Sequence, residues 1–342
     1  MRFASQLTIA SCFAWSSLFA VMGRGAEMAT MHPARLLTLV DSTGRPPVVT
    51  AVAISADGAT IAAAGDDHRL RIWKLAENEQ PREIETHSDW VRGLAISPDG
   101  QQIASVGNDK VLQAWNLATG TETFRTIGEG PLCAVSWHPN GQQISTVGFG
   151  TSLAVYNLSG GTQIQTLECP CQDMRCIAFA SNGNVMAGAG RNGKLRLWEA
   201  STGNEIRDIE ADKLRIRVVA FSPSNERVAT AGEGEQIRIW DVASGAEIAS
   251  LPARPAKIYS LVFINDDQLA TGGSDNSIRL WNLSSKVATD LLVGHTGTVA
   301  TLACDAAGET LVSGGYDTTV RLWTLRGEQS ASATTSSGTT IR

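Results

Sequence analysis

The 342-residue sequence predicts an all-β chain built from seven copies of one short-stranded unit. Three observations predict it. Trp outnumbers Tyr by 9 to 3, and six of the nine tryptophans close versions of one pattern. These are Leu70-Arg71-Ile72-Trp73, Leu112-Gln113-Ala114-Trp115, Leu195-Arg196-Leu197-Trp198, Ile237-Arg238-Ile239-Trp240, Ile278-Arg279-Leu280-Trp281 and Val320-Arg321-Leu322-Trp323, and Tyr156 fills the one gap after Leu153-Ala154-Val155. The seven anchors lie 42, 41, 42, 42, 41 and 42 residues apart, a period that marks a repeat architecture rather than two ordinary domains. No window of useful length carries a helical period, whereas short apolar runs alternate with turn residues throughout.

Each element of a copy has its own signal. A first apolar strand runs into a turn such as Ser97-Pro98-Asp99-Gly100, His138-Pro139-Asn140-Gly141, Ser181-Asn182-Gly183 or Ala307-Gly308. Those residues suit a tight reversal because Pro presets φ, Asn and Asp cap their own backbone, and Gly tolerates positive φ. A second strand follows, such as Ile103–Val106 or Leu311–Gly314, then a Gly/Asp/Asn hairpin turn and the strand ending in the anchor aromatic. A fourth strand, such as Thr121–Thr126 or Glu205–Ile209, completes the unit.

With these residues in view, the chain resembles the WD-repeat β-propeller family over residues 35–325. The Trp-Asp dipeptide itself survives once, at Trp240-Asp241; the other anchors are followed by Lys74, Asn116, Asn157, Glu199, Asn282 and Thr324. The resemblance implies a seven-bladed β-propeller of four-stranded antiparallel blades. It also implies a buried tetrad of His, Ser/Thr, Asp and Trp, with the Asp expected against the Trp ring. The second copy supplies His87, Ser105, Asp109 and Trp115, and the seventh His295, Ser313, Asp317 and Trp323. The sixth keeps Thr271, Asp275 and Trp281 without the His; the first keeps Asp67 and Trp73 with Ala63 in place of the hydroxyl. The fourth has Asn192 at the Asp position, and the third and fifth have Gly150 and Gly234 there. Partial networks must rely more on packing, because a buried polar chain stabilises only when its members are satisfied.

An open ring would leave strand edges unpaired. The seventh copy ends near Leu325 before its fourth strand, while Arg35–Asp41 is an apolar run with no copy of its own, so this segment is expected to supply the outer strand of the last blade. Residues 1–25 read as an export signal or anchor: Arg2, an apolar run from Phe3 to Met22, then Gly23-Arg24-Gly25-Ala26-Glu27. Cleavage is placed between Gly23 and Ala26; an uncleaved anchor and a lipoprotein-type Cys12 are the alternatives. All three put the domain outside the cytoplasm. Residues 26–34 are expected to be a short linker, 35–326 the propeller, and 327–342 a disordered Ser/Thr-rich tail.

Composition and motifs exclude much chemistry. With 18% charged and 43% hydrophobic residues the chain is neither disordered nor a membrane bundle, and a net charge of -6 argues against a nucleic-acid partner. Gly188-Ala189-Gly190-Arg191-Asn192-Gly193 matches a dinucleotide fingerprint, but a strand follows where the phosphate-binding helix should be, so it reads as a hairpin turn. The five histidines form no ligand pair, and Ser/His/Asp combinations occur only as tetrads, so neither a catalytic residue nor a cofactor or metal site is expected. Cys133, Cys169, Cys171 and Cys176 cluster around the third and fourth copies, and three readings stand: inert thiols, a metal site, or a disulfide joining Cys133 to Cys169 or Cys171.

The loops leading into the innermost strands gather on one face. Aligning the copies puts Val48, Trp90, Pro131, Asp173, Arg215, Lys257 and Thr298 in one column, and Thr50, Arg92, Cys133, Arg175, Arg217, Tyr259 and Ala300 in another. Trp90, Arg92, Arg175, Arg215, Arg217, Lys257 and Tyr259 are the candidate partner-binding residues, since Trp, Tyr and Arg anchor protein interfaces. The expectation is a non-catalytic, exported scaffold that binds protein partners carrying an acidic surface or peptide, with membrane contact only through the N-terminal segment. A lactonase-like propeller hydrolase and a carbohydrate-binding propeller are the alternatives.

Overall fold

A computed structural model describes residues 29–31, 33, 35–39, 44–77, 80–169, 173–253 and 256–325. The expected signal or anchor at 1–25, the tail at 327–342, Cys12 and Cys171 lie outside them. The described residues form seven sheets and no helix. Five of the sheets hold four antiparallel strands in sequence order, as in the second blade: Val91–Ile96, Gln102–Gly107, Val111–Asn116 and Glu122–Ile127; the sixth and seventh blades also take a strand from the N-terminal segment. The molecule is a seven-bladed β-propeller, and the innermost strands of neighbouring blades lie side by side around the ring. Side chains tie some of them together: Ser260 Oγ accepts from the Leu302 amide at 2.8 Å, and Thr301 Oγ1 from that of Val52 at 3.2 Å.

The ring has no single core. Buried apolar residues fall into seven clusters, each lying between two adjacent blades and each holding one member of the aromatic ladder. Trp115, for example, packs with Ile103 and Leu117 of its own blade on Ala62, Leu70 and Ile72 of the first. A blade is too thin to bury its own faces, so the bulky aromatic fills the wedge against its neighbour; this is why a large ring recurs once per period. Trp137, outside the ladder, is also structural: it is buried between the second and third blades and donates from Nε1 to the Ala95 carbonyl at 2.8 Å.

The ring closes through its N-terminal segment. β1 is Ala29–Met31 and β2 is Arg35–Thr38. β2 pairs antiparallel with Thr319–Thr324, Leu37 opposite Val320, and so supplies the fourth strand of the seventh blade as the orphan run suggested. Leu37 and Leu39 enter the cluster between the seventh and first blades, beside Val320, Leu322 and Trp73. β1 falls within the segment expected to be linker. It runs parallel to Val287–Leu292 as a fifth strand of the sixth blade, with Val293 N–H donating to the Met31 carbonyl at 3.0 Å. Three residues are too few for any periodic signal, so this strand has no mark in the sequence.

Of the three readings of these cysteines, the bridge through Cys133 does not form: Cys133, Cys176 and Cys304 are free thiols. Cys169 is disulfide-bonded. Arg175 approaches Cys133 Sγ at 3.5 Å, and burial, the dominant influence, raises the pKa of this thiol.

Candidate functional site: the channel-rim face

The rim columns are set by two backbone devices. In six blades the residue after the tight hairpin's first glycine donates its N–H to the carbonyl of a first-column residue: Asp66 to Val48, Asn108 to Trp90, Phe149 to Pro131, Glu233 to Arg215, Ser274 to Lys257 and Tyr316 to Thr298. In the same six blades the register of the innermost strand slips at the second-column position, between Val91 and Gly93 and between Ile216 and Val218, for example. Thr50, Arg92, Cys133, Arg217, Tyr259 and Ala300 are therefore the bulged residues. A bulge leaves one residue out of the ladder and re-aims its side chain. The fourth blade departs, because its inner strand starts only at Cys176 and Asp173 sits at φ 59°.

On this frame the candidate residues form an arc. The Arg92 guanidinium lies 5.0 Å from the Trp90 ring centroid and Nε donates to Asn108 at 2.9 Å. Arg175 stacks on Phe149 at 4.2 Å and Arg217 on Tyr259 at 4.7 Å. Asp173 bridges Arg175 at 2.8 Å and Arg215 at 3.2 Å, and Glu233 bridges Arg215 at 3.3 Å and Arg217 at 2.5 Å. Contacts thus run from Cys133 through Arg175, Asp173, Arg215, Glu233 and Arg217 to Tyr259, across the third to the sixth blades. Partial burial works to raise the Glu233 carboxyl, but the Arg217 hydrogen bond and the charges of Arg217 and Arg215 outweigh it and hold it below the usual range. Lys257 is exposed and makes no side-chain ion pair among the described residues.

The pairing corrects the electrostatic expectation. Aligned columns alone set five cations against one acid; the structure adds Glu233 and neutralises much of Arg175, Arg215 and Arg217 internally. Glu233 and Phe149 were missed because they belong to the hairpin turn rather than to the loop before the inner strand. The same period finds them: Asp66, Asn108, Phe149, Arg191, Glu233, Ser274 and Tyr316 all stand one residue before the tetrad Asp position.

The tetrads lie under this face and are inward-facing. In the seventh blade Trp323 Nε1 donates to Ser313 Oγ at 2.9 Å, Ser313 meets His295 Nε2 at 2.7 Å, and His295 Nδ1 meets Asp317 at 2.8 Å. In the second, His87 bonds Asp109 and Ser105, each at 2.9 Å, while the Trp115 indole N–H is buried with no partner among the described residues. The Asp therefore does not touch the indole, contrary to expectation: it holds the imidazole in both blades, and in the seventh the hydroxyl takes the indole. Burial lowers the His87 pKa against the opposing pull of Asp109. Buried as they are, these hydroxyls face no cleft, so the geometry is not that of a nucleophile. The glycine-rich Gly188–Gly193 run spans the turn between Val185–Ala189 and Lys194–Glu199.

Seven blades, a continuous ladder and tetrads of this geometry define a repeat propeller, a class that typically serves as a platform for other proteins. The WD domain, G-beta repeat model matches residues 36–74, 78–116, 161–199, 203–241, 245–282 and 285–324, and the chain belongs to this WD40 family. The unmatched interval holds the third blade, where Tyr156 replaces Trp and Gly150 replaces Asp. None of the curated proteins matches the chain. WD40 propellers are generally non-enzymatic and commonly bind protein partners.

Proposed function

We propose that this protein is a non-catalytic interaction scaffold that acts outside the cytoplasm and docks a protein partner on the rim arc. The observation that carries the reading is the set of three guanidinium groups stacked on aromatic rings at 4.2–5.0 Å. Stacked arginines lose little side-chain entropy on binding, which suits interface anchors. Arg92 has no carboxylate partner among the described residues and Lys257 is exposed, so the arc keeps excess positive charge for an acidic segment. Export is supported by Arg2 with the apolar run Phe3–Met22 and by the disulfide at Cys169, a bond that persists in oxidising compartments.

Arg92→Glu and Trp90→Ala disturb no carboxylate pair and are the cleanest variants; Arg175→Glu and Arg217→Glu complete the series. Crosslinking capture by the exported protein, read by mass spectrometry, should give partners that these variants lose while keeping the wild-type melting temperature. Undiminished capture by all four would end the rim reading. A mature N-terminus before residue 23 in a cytoplasmic fraction would end the export reading.

A further inference from the structure

The third blade lacks the His–Asp pair that the second and seventh carry. His87 stands 28 residues before Trp115, and the position 28 before Tyr156 is Gly128. Gly150 replaces the Asp, and Thr146 takes the place of Ser105 and Ser313. Other incomplete blades refill the gap. In the first, buried Arg71 pairs with Asp67 at 2.6 Å. In the fourth, Met174 closes on Gly188 so tightly that a Cβ there would meet it at 2.7 Å. In the fifth, the Asp212 carboxylate occupies the space a side chain at Gly234 would need. In the third, a Cβ on Gly128 would meet Leu132 Cδ2 at 3.2 Å, but one on Gly150 would meet only the Ser152 nitrogen, at 3.9 Å.

The result is a cavity of about 140 Å³ lined by Gly128, Thr146, Gly150, Ser152 and Tyr156, with Phe149 at its edge. Thr146 and Tyr156 are 2% and 6% exposed, yet neither hydroxyl has a hydrogen-bond partner among the described residues. Both hydroxyls line the open cavity and can donate to or accept from a ligand there. Glu129 also lines the cavity, and its charge is felt by the Tyr156 phenol, whose pKa burial, then this carboxylate, raise. Half-exposed Phe149 and exposed Ile127 add apolar surface.

We propose that this cavity binds the imidazole ring of a histidine side chain presented by a partner, in the place of the ring that the chain itself supplies in the second and seventh blades. Thr146 is the counterpart of the two serines that meet imidazole Nε2 at 2.9 and 2.7 Å. Glu129 offers the carboxylate that Asp109 and Asp317 give to Nδ1. A neutral imidazole both donates and accepts, matching hydroxyls on one side and a carboxylate on the other. The volume suits one such ring, since a cavity of about 150 Å³ holds benzene, and the polar lining selects a heteroaromatic over a hydrocarbon. A carboxylate ligand is disfavoured by Glu129. The site goes beyond the rim reading and is tested with no partner present, so the two stand or fall separately.

The test is a titration of the full, ¹⁵N-labelled chain with 4-methylimidazole at a pH where it is neutral, with acetate and toluene as controls. The expected result is saturable amide shifts at Gly128, Glu129, Gly150 and Ser152 with a dissociation constant on the order of millimolar, the range of a small fragment. Thr146→Val keeps the shape and should weaken binding roughly fivefold, the effect of one hydrogen bond. Gly128→His, which brings the ring in cis, should abolish it. Absence of saturable shifts, equal shifts with acetate or toluene, or unchanged binding in the folded Thr146→Val protein would each overturn the proposal.

Discussion

At the scale of single residues, the Asp317 carboxylate contributes most to its blade's polar chain. It accepts from His295, from the Thr296 amide at 3.0 Å and from Thr319 Oγ1 at 2.8 Å, with its side chain 3% exposed. Asp317→Ala strands these donors and should cost about 3 kcal/mol in denaturant unfolding. Gly150→Ala meets no neighbour and should change stability by less than about 0.5 kcal/mol. Equal losses would contradict the comparison. Burial acts to raise the Asp317 carboxyl, but the His295 hydrogen bond and the other donors outweigh it and bring it from the ordinary 3.8 down to about 2. A depressed folded-state pKa gives stability that is fully present above 3.8 and disappears as pH falls toward 2. The loss across that window should be on the order of 2 kcal/mol in the wild type and absent from Asp317→Asn, as read by urea midpoints against pH. The tetrad members were legible in the sequence because period and residue type coincide. The void beside Gly150 was not, because whether a neighbour such as Met174 or Asp212 fills a gap depends on side-chain packing.

At the scale of the element, the hairpin after each second strand repeats one backbone solution. The residue following the tetrad Asp position is left-handed in five blades: His68, Lys110, Gly193, Asn276 and Thr318, at φ 64–75°. Gly193 can be nothing else, since a Cβ there would strike the Asp212 carbonyl. Thr318, β-branched at φ 66°, is the most strained of the others. Thr318→Asn should raise stability by about 1 kcal/mol, measured by denaturant unfolding. A lower midpoint would show that the Thr side chain contributes more than its strain. The third and fifth hairpins, with Gly150 and Gly234 ahead of that position, escape the constraint. Element order and turn positions could be read from composition, but the inner-strand bulges could not: a slip that ejects one residue leaves no mark in a pattern of apolar alternation.

At the scale of the molecule, stability is a circle of seven interfaces rather than one core. The interface between the seventh and first blades depends on β2, with Leu37 and Leu39 buried at 8% and 2%. Burying each leucine is worth roughly 2 kcal/mol, and losing β2 also exposes the Thr319–Thr324 edge. A chain starting at Val48 should therefore unfold or aggregate, as read by thermal melting and light scattering. Unchanged melting would mean that the ring closes without β2.

The sequence by itself determined the number of blades, the residues of the aromatic ladder, the tetrads and the strand that closes the ring. Each rests on local chemistry repeated at a fixed interval, and repetition separates signal from chance. Tertiary structure alone decided that Asp173 and Glu233 temper the rim arginines, that Cys133 stays a free thiol, that β1 extends the sixth blade, and that the third blade keeps an open cavity. These depend on which residues meet in space, as Asp173 does with Arg215, Glu233 with Arg217 and Ala29 with Asp290, and that is set by packing across strands and blades rather than by any repeated local pattern.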